Sequence, residues 1–163
     1  MKEMKKEIML IGSLIILAVA SRLLPHPPNF APITGIALFA ANKFQNRFLA
    51  FLLPLFCLFM TDLVLGLSWI NLFVYASFAM ISYLGMKSES VRVSTVLCSS
   101  ILFFVVSNFG VWLLYYPKTL AGFVSCFTLA VPFFTNTLAG DLVYTAVLFY
   151  SFSTIKNTLL KAA

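Results

Sequence analysis

Charge is what this 163-residue sequence has least of: Asp, Glu, Lys and Arg together make up 10% of it, and only five residues are acidic. A soluble domain carries about 25% charged residues, so too few polar side chains are present to cover a surface facing water. Soluble enzymes and soluble nucleic-acid binders are excluded on that ground. The one histidine, His26, stands between prolines with no second imidazole to complete a metal site. Cys57, Cys98 and Cys126 each lie alone in an apolar stretch without CxxC spacing, which reads as buried structural thiols. No Gly-x-x-x-x-Gly-Lys nucleotide motif occurs, and no nucleophile and base or metal cluster stands out. The expectation is a protein that is not an enzyme and carries no cofactor. The 11 basic residues are scattered singly and form no stripe, which speaks against a nucleic-acid partner.

What is present is apolar: 61% of the residues are hydrophobic, 16% aromatic, and the mean hydropathy is +1.00. A helix of about 20 residues crosses the roughly 30 Å hydrocarbon layer, and apolar runs of that kind fill the chain. The sequence predicts an all-α, polytopic membrane helix bundle, one domain over 1–163, with about six transmembrane helices of which one is short or re-entrant. Helix one is expected at 8–24, stopped by Pro25, Pro27 and Pro28. Its opening, Lys2, Lys5 and Lys6 before an apolar run and Ala18-Val19-Ala20, imitates a signal peptide. Glu3 and Glu7 within that opening favour an uncleaved helix. A short run at 30–42 reads as a tilted, partly buried helix or a re-entrant piece. Longer runs follow at 47–67, 70–86 and 93–116. The stretch 120–134, interrupted by Gly122 and Pro132, is expected to be interfacial or re-entrant, and 137–155 to be helix six.

Basic residues in short loops stay on the cytoplasmic side. Six spans place nine of the 11 on one side, namely Lys2, Lys5, Lys6, Lys43, Arg47, Lys87, Arg92, Lys156 and Lys161, leaving Arg22 and Lys118 opposite. A seven-span reading, with 120–134 crossing, gives only seven against four. The expected arrangement therefore has both termini in the cytoplasm, in the inner membrane of a bacterium.

A carboxylate at membrane depth costs about 2.5 to 3.5 kcal/mol and so tends to face protein or water. Asp62 and Asp141 are the two in this position. Asp62 lies about 22 Å along its helix from Arg47, Asn108 about 24 Å from Arg92, and Asp141 about 10 Å inward from Phe134, taken as the outer face. Three helices thus present a polar group at one outer depth. Trp112 follows Asn108 by one turn, and Tyr144 follows Asp141. The outer loops add Arg22, Asn29, Trp69 and Asn71. The candidate site is Arg22, Asn29, Asp62, Trp69, Asn108, Trp112, Asn136, Asp141 and Tyr144, a pocket for a small molecule. The competing reading makes the Trp and Tyr residues an interfacial belt and pairs Asp62 and Asp141 with Arg22 and Lys118.

Four stretches are distinctive: Arg22-Leu23-Leu24-Pro25-His26-Pro27-Pro28-Asn29-Phe30-Ala31-Pro32-Ile33, Thr61-Asp62-Leu63-Val64-Leu65-Gly66, Ser107-Asn108-Phe109-Gly110-Val111-Trp112, and Pro132-Phe133-Phe134-Thr135-Asn136-Thr137-Leu138-Ala139-Gly140-Asp141. On these the chain resembles, over nearly its whole length, a bacterial multispan family of unknown function. More distantly, six short spans, the Asn-Phe-x-Pro entry to helix two and the Asp-x-x-x-Gly end of helix three resemble the S-components of energy-coupling-factor vitamin transporters. That second resemblance implies a vitamin-like solute bound from the outer side, with a coupling subunit and an ATPase as partners. The AxxxA motif by which S-components meet the coupling subunit is missing, since helix one offers Ala18, Ala20 and Ser21 without that spacing. The alternative function is a structural or assembly subunit of a membrane protein complex.

Overall fold

The computed structural model describes residues 2–161, and for residues 2–7, 10 and 159–161 the backbone alone. The charges of Lys2, Lys5, Lys6 and Lys161 in the topology count therefore lie outside the described side chains. Among the described residues the chain is all-helical, with six helices and no strand: α1 (Lys2–Arg22), α2 (Ile33–Lys43), α3 (Arg47–Leu65), α4 (Ile70–Lys87), α5 (Val93–Tyr115) and α6 (Leu120–Lys161). Four of them, α3 to α6, are long and apolar enough to cross a membrane; the apolar part of α1, Ile11–Arg22, falls short of that length.

Local chemistry sets the ends. The Asn46 side chain accepts from Phe48 N and Leu49 N and caps α3. Gly66, at φ 110°, ends it in a conformation that side chains disfavour. The last carbonyls of α5 are met by Lys118, whose Nζ lies 2.8 Å from the oxygens of both Trp112 and Tyr116. Connections of three to five residues join α2 through α6, so successive helices run antiparallel. Lys43, Arg47, Lys87, Arg92 and Lys156 gather at one end of the bundle. Arg47 donates there to Met86 O, and Lys43 and Lys156 both sit over the Phe152 ring. Arg22, His26 and Lys118 mark the opposite end.

At the centre stands α2. It is 11 residues long, every residue from Ile33 to Ala41 is buried, and it touches all five other helices. A helix apolar all round is buried all round. This helix rises about 15 Å from Lys43, half of a roughly 30 Å hydrocarbon layer; the expected short helix at 30–42 is there, and it is buried more fully than the tilted, partly buried helix anticipated. The non-helical segment 23–32 must descend to meet it. Non-helical backbone at such depth persists only when protein covers it or a cavity adjoins it, and Gly140 supplies the cover: a Cβ there would come 3.1 Å from Ala31 N and Phe30 Cα. Small residues serve the same end elsewhere. Ala41 faces Gly85 of α4 so closely that a Cβ on Gly85 would fall 2.9 Å from it.

Three sequence expectations are corrected. The stretches 120–134 and 137–155 are one continuous helix of 42 residues, about 63 Å long. Pro132 does not break it, because inside a membrane the neighbouring backbone has no water to turn to and the remaining helical bonds are kept. With one helix here the bundle has six elements and the seven-span reading falls away. Asp141 is not at the outer depth of Asp62 and Asn108. Phe134 is 14 residues into α6, about 21 Å from Leu120, so it was no marker of the outer face. Finally, Cys57 and Cys126 are buried, whereas Cys98 is exposed on the outside of α5.

Candidate functional site

Asp62 is 3% exposed and Asp141 2%, yet the two carboxylates are treated in opposite ways. Asp62 is fully partnered. Arg22 Nη2 donates to its Oδ1 at 2.7 Å, and on its Oδ2 it accepts from Asn71 Nδ2 at 2.7 Å and Tyr75 OH at 2.9 Å. The amide of Asn71 is itself aimed by Ser68, whose hydroxyl donates to Asn71 Oδ1 at 3.0 Å. Arg22 Nη1 donates in addition to the Thr61 hydroxyl and to Leu58 O. One guanidinium thus ties the end of α1 to α3, and one carboxylate ties α3 to α4.

Asp141 has hydroxyls for company and, among the described residues, no cation bonded to it. Ser100 Oγ of α5 lies 2.6 Å from its Oδ2, and the Thr34 side chain of α2 is its other polar neighbour. Ser100 Oγ is also 3.0 Å from Val96 O, so one hydroxyl proton serves two acceptors. Three independent helix counts give the depth of this group above the basic end. Thr34 is nine residues from Lys43, about 14 Å; Ser100 is eight from Arg92, about 12 Å; Asp141 is 11 from Phe152, about 17 Å. Asp141 therefore lies about 12 to 17 Å above the basic end, near the middle of a layer about 30 Å thick that helices of this length could cross.

Between the two carboxylates is a cavity of about 150 Å³. Its polar lining is Arg22 and Asn29 toward the Arg22 end, with Thr34, Thr137 and Asp141 deeper; its apolar lining is Ala31, Ile33, Leu58, Val74, Phe78 and Phe103. Asn29 is exposed and holds a φ of 65°, the left-handed region that Asn tolerates better than most side chains. The proline-rich segment 23–32 thus forms one wall, α2 begins at the bottom, and α3 to α6 close the rest.

Three of the nine sequence-derived site residues, Arg22, Asn29 and Asp141, line this cavity, and Asp62 is bound to one of them. The others do not join it. Trp69 is 72% exposed at the start of α4. Asn108 turns back to donate to Phe104 O of its own helix. Trp112 donates to Pro117 O and packs on Phe109 and Phe123. The Tyr144 ring meets that of Phe30 at a tilt, and Asn136 is half-buried on α6 outside the lining. Lys118 caps α5 and does not pair with Asp141. The sequence reading missed Thr34, Ser100 and Thr137. Single hydroxyls in apolar helices are ordinarily spent on a carbonyl one turn back, as those of Ser77, Ser82, Ser99 and Ser107 are, so nothing in the sequence sets these three apart.

No curated protein and no solved structure matches the chain, S-components included, so that likeness rests on the quoted motifs alone. The proline-rich wall, the Asp62 anchor, and the Asn136 to Asp141 stretch of α6 all lie within one family match that runs from residue 2 to residue 162, and on it the chain belongs to a family of unknown function, DUF6580.

Proposed function

We propose that this membrane protein binds a small solute in the cavity beneath Arg22 and acts as the solute-binding subunit of a transport system, with no catalytic step of its own. The observation that carries the reading is the placement of Asp141: a buried carboxylate half-way along helices of membrane-crossing length, without a cationic partner among the described residues, at the wall of a cavity. Such a group costs free energy that a purely structural bundle has no reason to bear, and intramembrane carboxylates of this kind mark solute and ion paths. With the basic end facing the cytoplasm of a bacterium, the Arg22 end and the mouth of the cavity face outward. Energy for release must come from elsewhere, since the chain has no nucleotide motif. A coupling subunit and an ATPase, implied by the resemblance to S-components, fit that need.

The solute is smaller than a vitamin. Pockets for drug-sized ligands run from about 300 to 1,000 Å³, and the cavity of about 150 Å³ is well below that range. The structural or assembly role remains the second reading, favoured by the Arg22, Asp62, Asn71 and Tyr75 network, which clamps three helices whether or not anything binds. A thermal-shift panel of small polar solutes on the full chain in mild detergent, run beside the cavity-filling variant Ala31→Leu, separates the two. Stabilisation of the parent protein that Ala31→Leu abolishes supports binding in the cavity. No stabilisation by any solute, together with co-purification of envelope-assembly proteins, transfers the case to the structural role.

A further inference from the structure

We infer that the solute is a small protonated primary amine, its ammonium seated on Asp141 and its short hydrocarbon body against Phe78 and Phe103. This deepens the binding role proposed above and rests on it. The charge balance around the cavity selects the sign. Arg22 is neutralised by Asp62 at 2.7 Å, which leaves Asp141 as the one carboxylate at the cavity whose described neighbours are hydroxyls alone. An anion would bring a second negative charge into a site of low dielectric beside the first, and an ammonium would compensate it.

Hydrogen-bond counting agrees. A carboxylate offers about four acceptor sites. Ser100 divides its proton between Asp141 and Val96 O, the Thr34 hydroxyl is the one other hydrogen-bonding side chain described at the carboxylate, and Thr137 Oγ1, already donating to Phe133 O at 3.1 Å, keeps lone pairs to accept with. At the Asp141 end, away from Arg22 and Asn29, two hydroxyls face a carboxylate with about four acceptor sites, so acceptors outnumber donors there. An ammonium carries three N–H donors and no acceptor, which is the complement of that deficit.

The apolar lining separates an organic ammonium from a bare metal ion. Six of the 11 lining residues are apolar, whereas a hard cation calls for a shell of about six or more oxygen ligands. Among the described residues no group of three His, Cys, Asp or Glu comes together. The Phe78 and Phe103 rings, with centroids 5.4 Å apart, sit where the body of the amine would lie. A cavity of about 150 Å³ accepts a benzene-sized guest, which bounds the amine at about six heavy atoms.

The test is calorimetric titration of the full chain in mild detergent at fixed ionic strength with n-propylammonium chloride, its neutral twin 1-propanol, and its anionic twin sodium propionate. Propylammonium is expected to bind at least about tenfold more tightly than 1-propanol, the gain of a charge-assisted hydrogen bond, and propionate not to bind. In Asp141→Asn the preference for the amine over the alcohol should vanish. The ranking in the parent protein decides the matter even if that variant does not fold. Propanol binding as well as the amine, or an unchanged preference in a folded Asp141→Asn protein, overturns the amine assignment and leaves the solute pocket standing. Failure of all three probes overturns both.

Discussion

Arg22 and Asp62 are 40 residues apart in the chain and 2.7 Å apart in space. The pair closes the Arg22 end of the bundle at the place where α1 stops, because the same guanidinium also reaches Leu58 O and Thr61 on the last two turns of α3. Asp62 draws two further donors from α4. The loop that leaves Arg22 is then free to turn down into the membrane and meet α2 half-way.

That relationship predicts a contrast between the two buried carboxylates. Asp62→Asn leaves a guanidinium that is only 15% exposed beside a neutral amide, and breaking a buried pair from one side costs about 3 kcal/mol. Asp141→Asn removes a buried carboxyl that has no cationic partner among the described residues and keeps an acceptor for Ser100. Thermal unfolding in detergent should therefore place Asp62→Asn well below the parent protein and Asp141→Asn at or above it. Equal losses from the two variants would mean that Asp141 is as structural as Asp62.

The α4 and α5 packing makes a second prediction. Gly110 of α5 lies directly against Phe73, and a Cβ at that position would run into the ring and its own Cβ. Gly110→Ala is expected to destabilise the bundle by about 1 to 3 kcal/mol, the usual penalty for overpacking. Adding Phe73→Leu should restore part of the loss. Denaturation midpoints of the two variants check this, and a double variant no better than the single one would show that the ring is not the obstacle.

Orientation is the third. With the basic end inward, a reporter fused after Ala163 should be active if it works in the cytoplasm and silent if it works outside. A reporter at the 116–119 turn should give the opposite pair of results. Activity of an external reporter after Ala163 would turn the bundle over and put the mouth of the cavity on the cytoplasmic side.

Much of the fold is legible in the residues themselves. Apolar runs and prolines locate α3, α4 and α5 within a few positions and the end of α1, which starts six residues before the expected Ile8; the short run at 30–42 marks α2 as a helix too short to span, and its burial from Ile33 to Ala41 goes beyond the partly buried helix expected. Pro132 misleads in α6, since a proline that ends a soluble helix is tolerated where backbone has no water to bond. The site is legible only in part. Asp62 and Asp141 are conspicuous as the two carboxylates inside apolar helices, and Arg22 stands at the right end to reach one of them. Depth is where the reading fails: without knowing that α6 is continuous, Phe134 looks like its outer end, and Asp141 is placed about one helical turn too high. Trp69, Trp112 and Asn108 were drawn into the site by sharing an end of the bundle with it. In the fold they belong to the outside of α4, the cap of α5 and the backbone of α5.

The most direct measurement is an experimental structure of the full chain with 2-bromoethylammonium or its neutral twin 2-bromoethanol, located by the anomalous signal of bromine. The site described here predicts one strong peak inside the cavity, between Asp141 and the Phe78 and Phe103 rings, for at least one of the two compounds. Peaks confined to the lipid-facing surface or to the Arg22 and Asp62 pair, with none in the cavity for either compound, would contradict it.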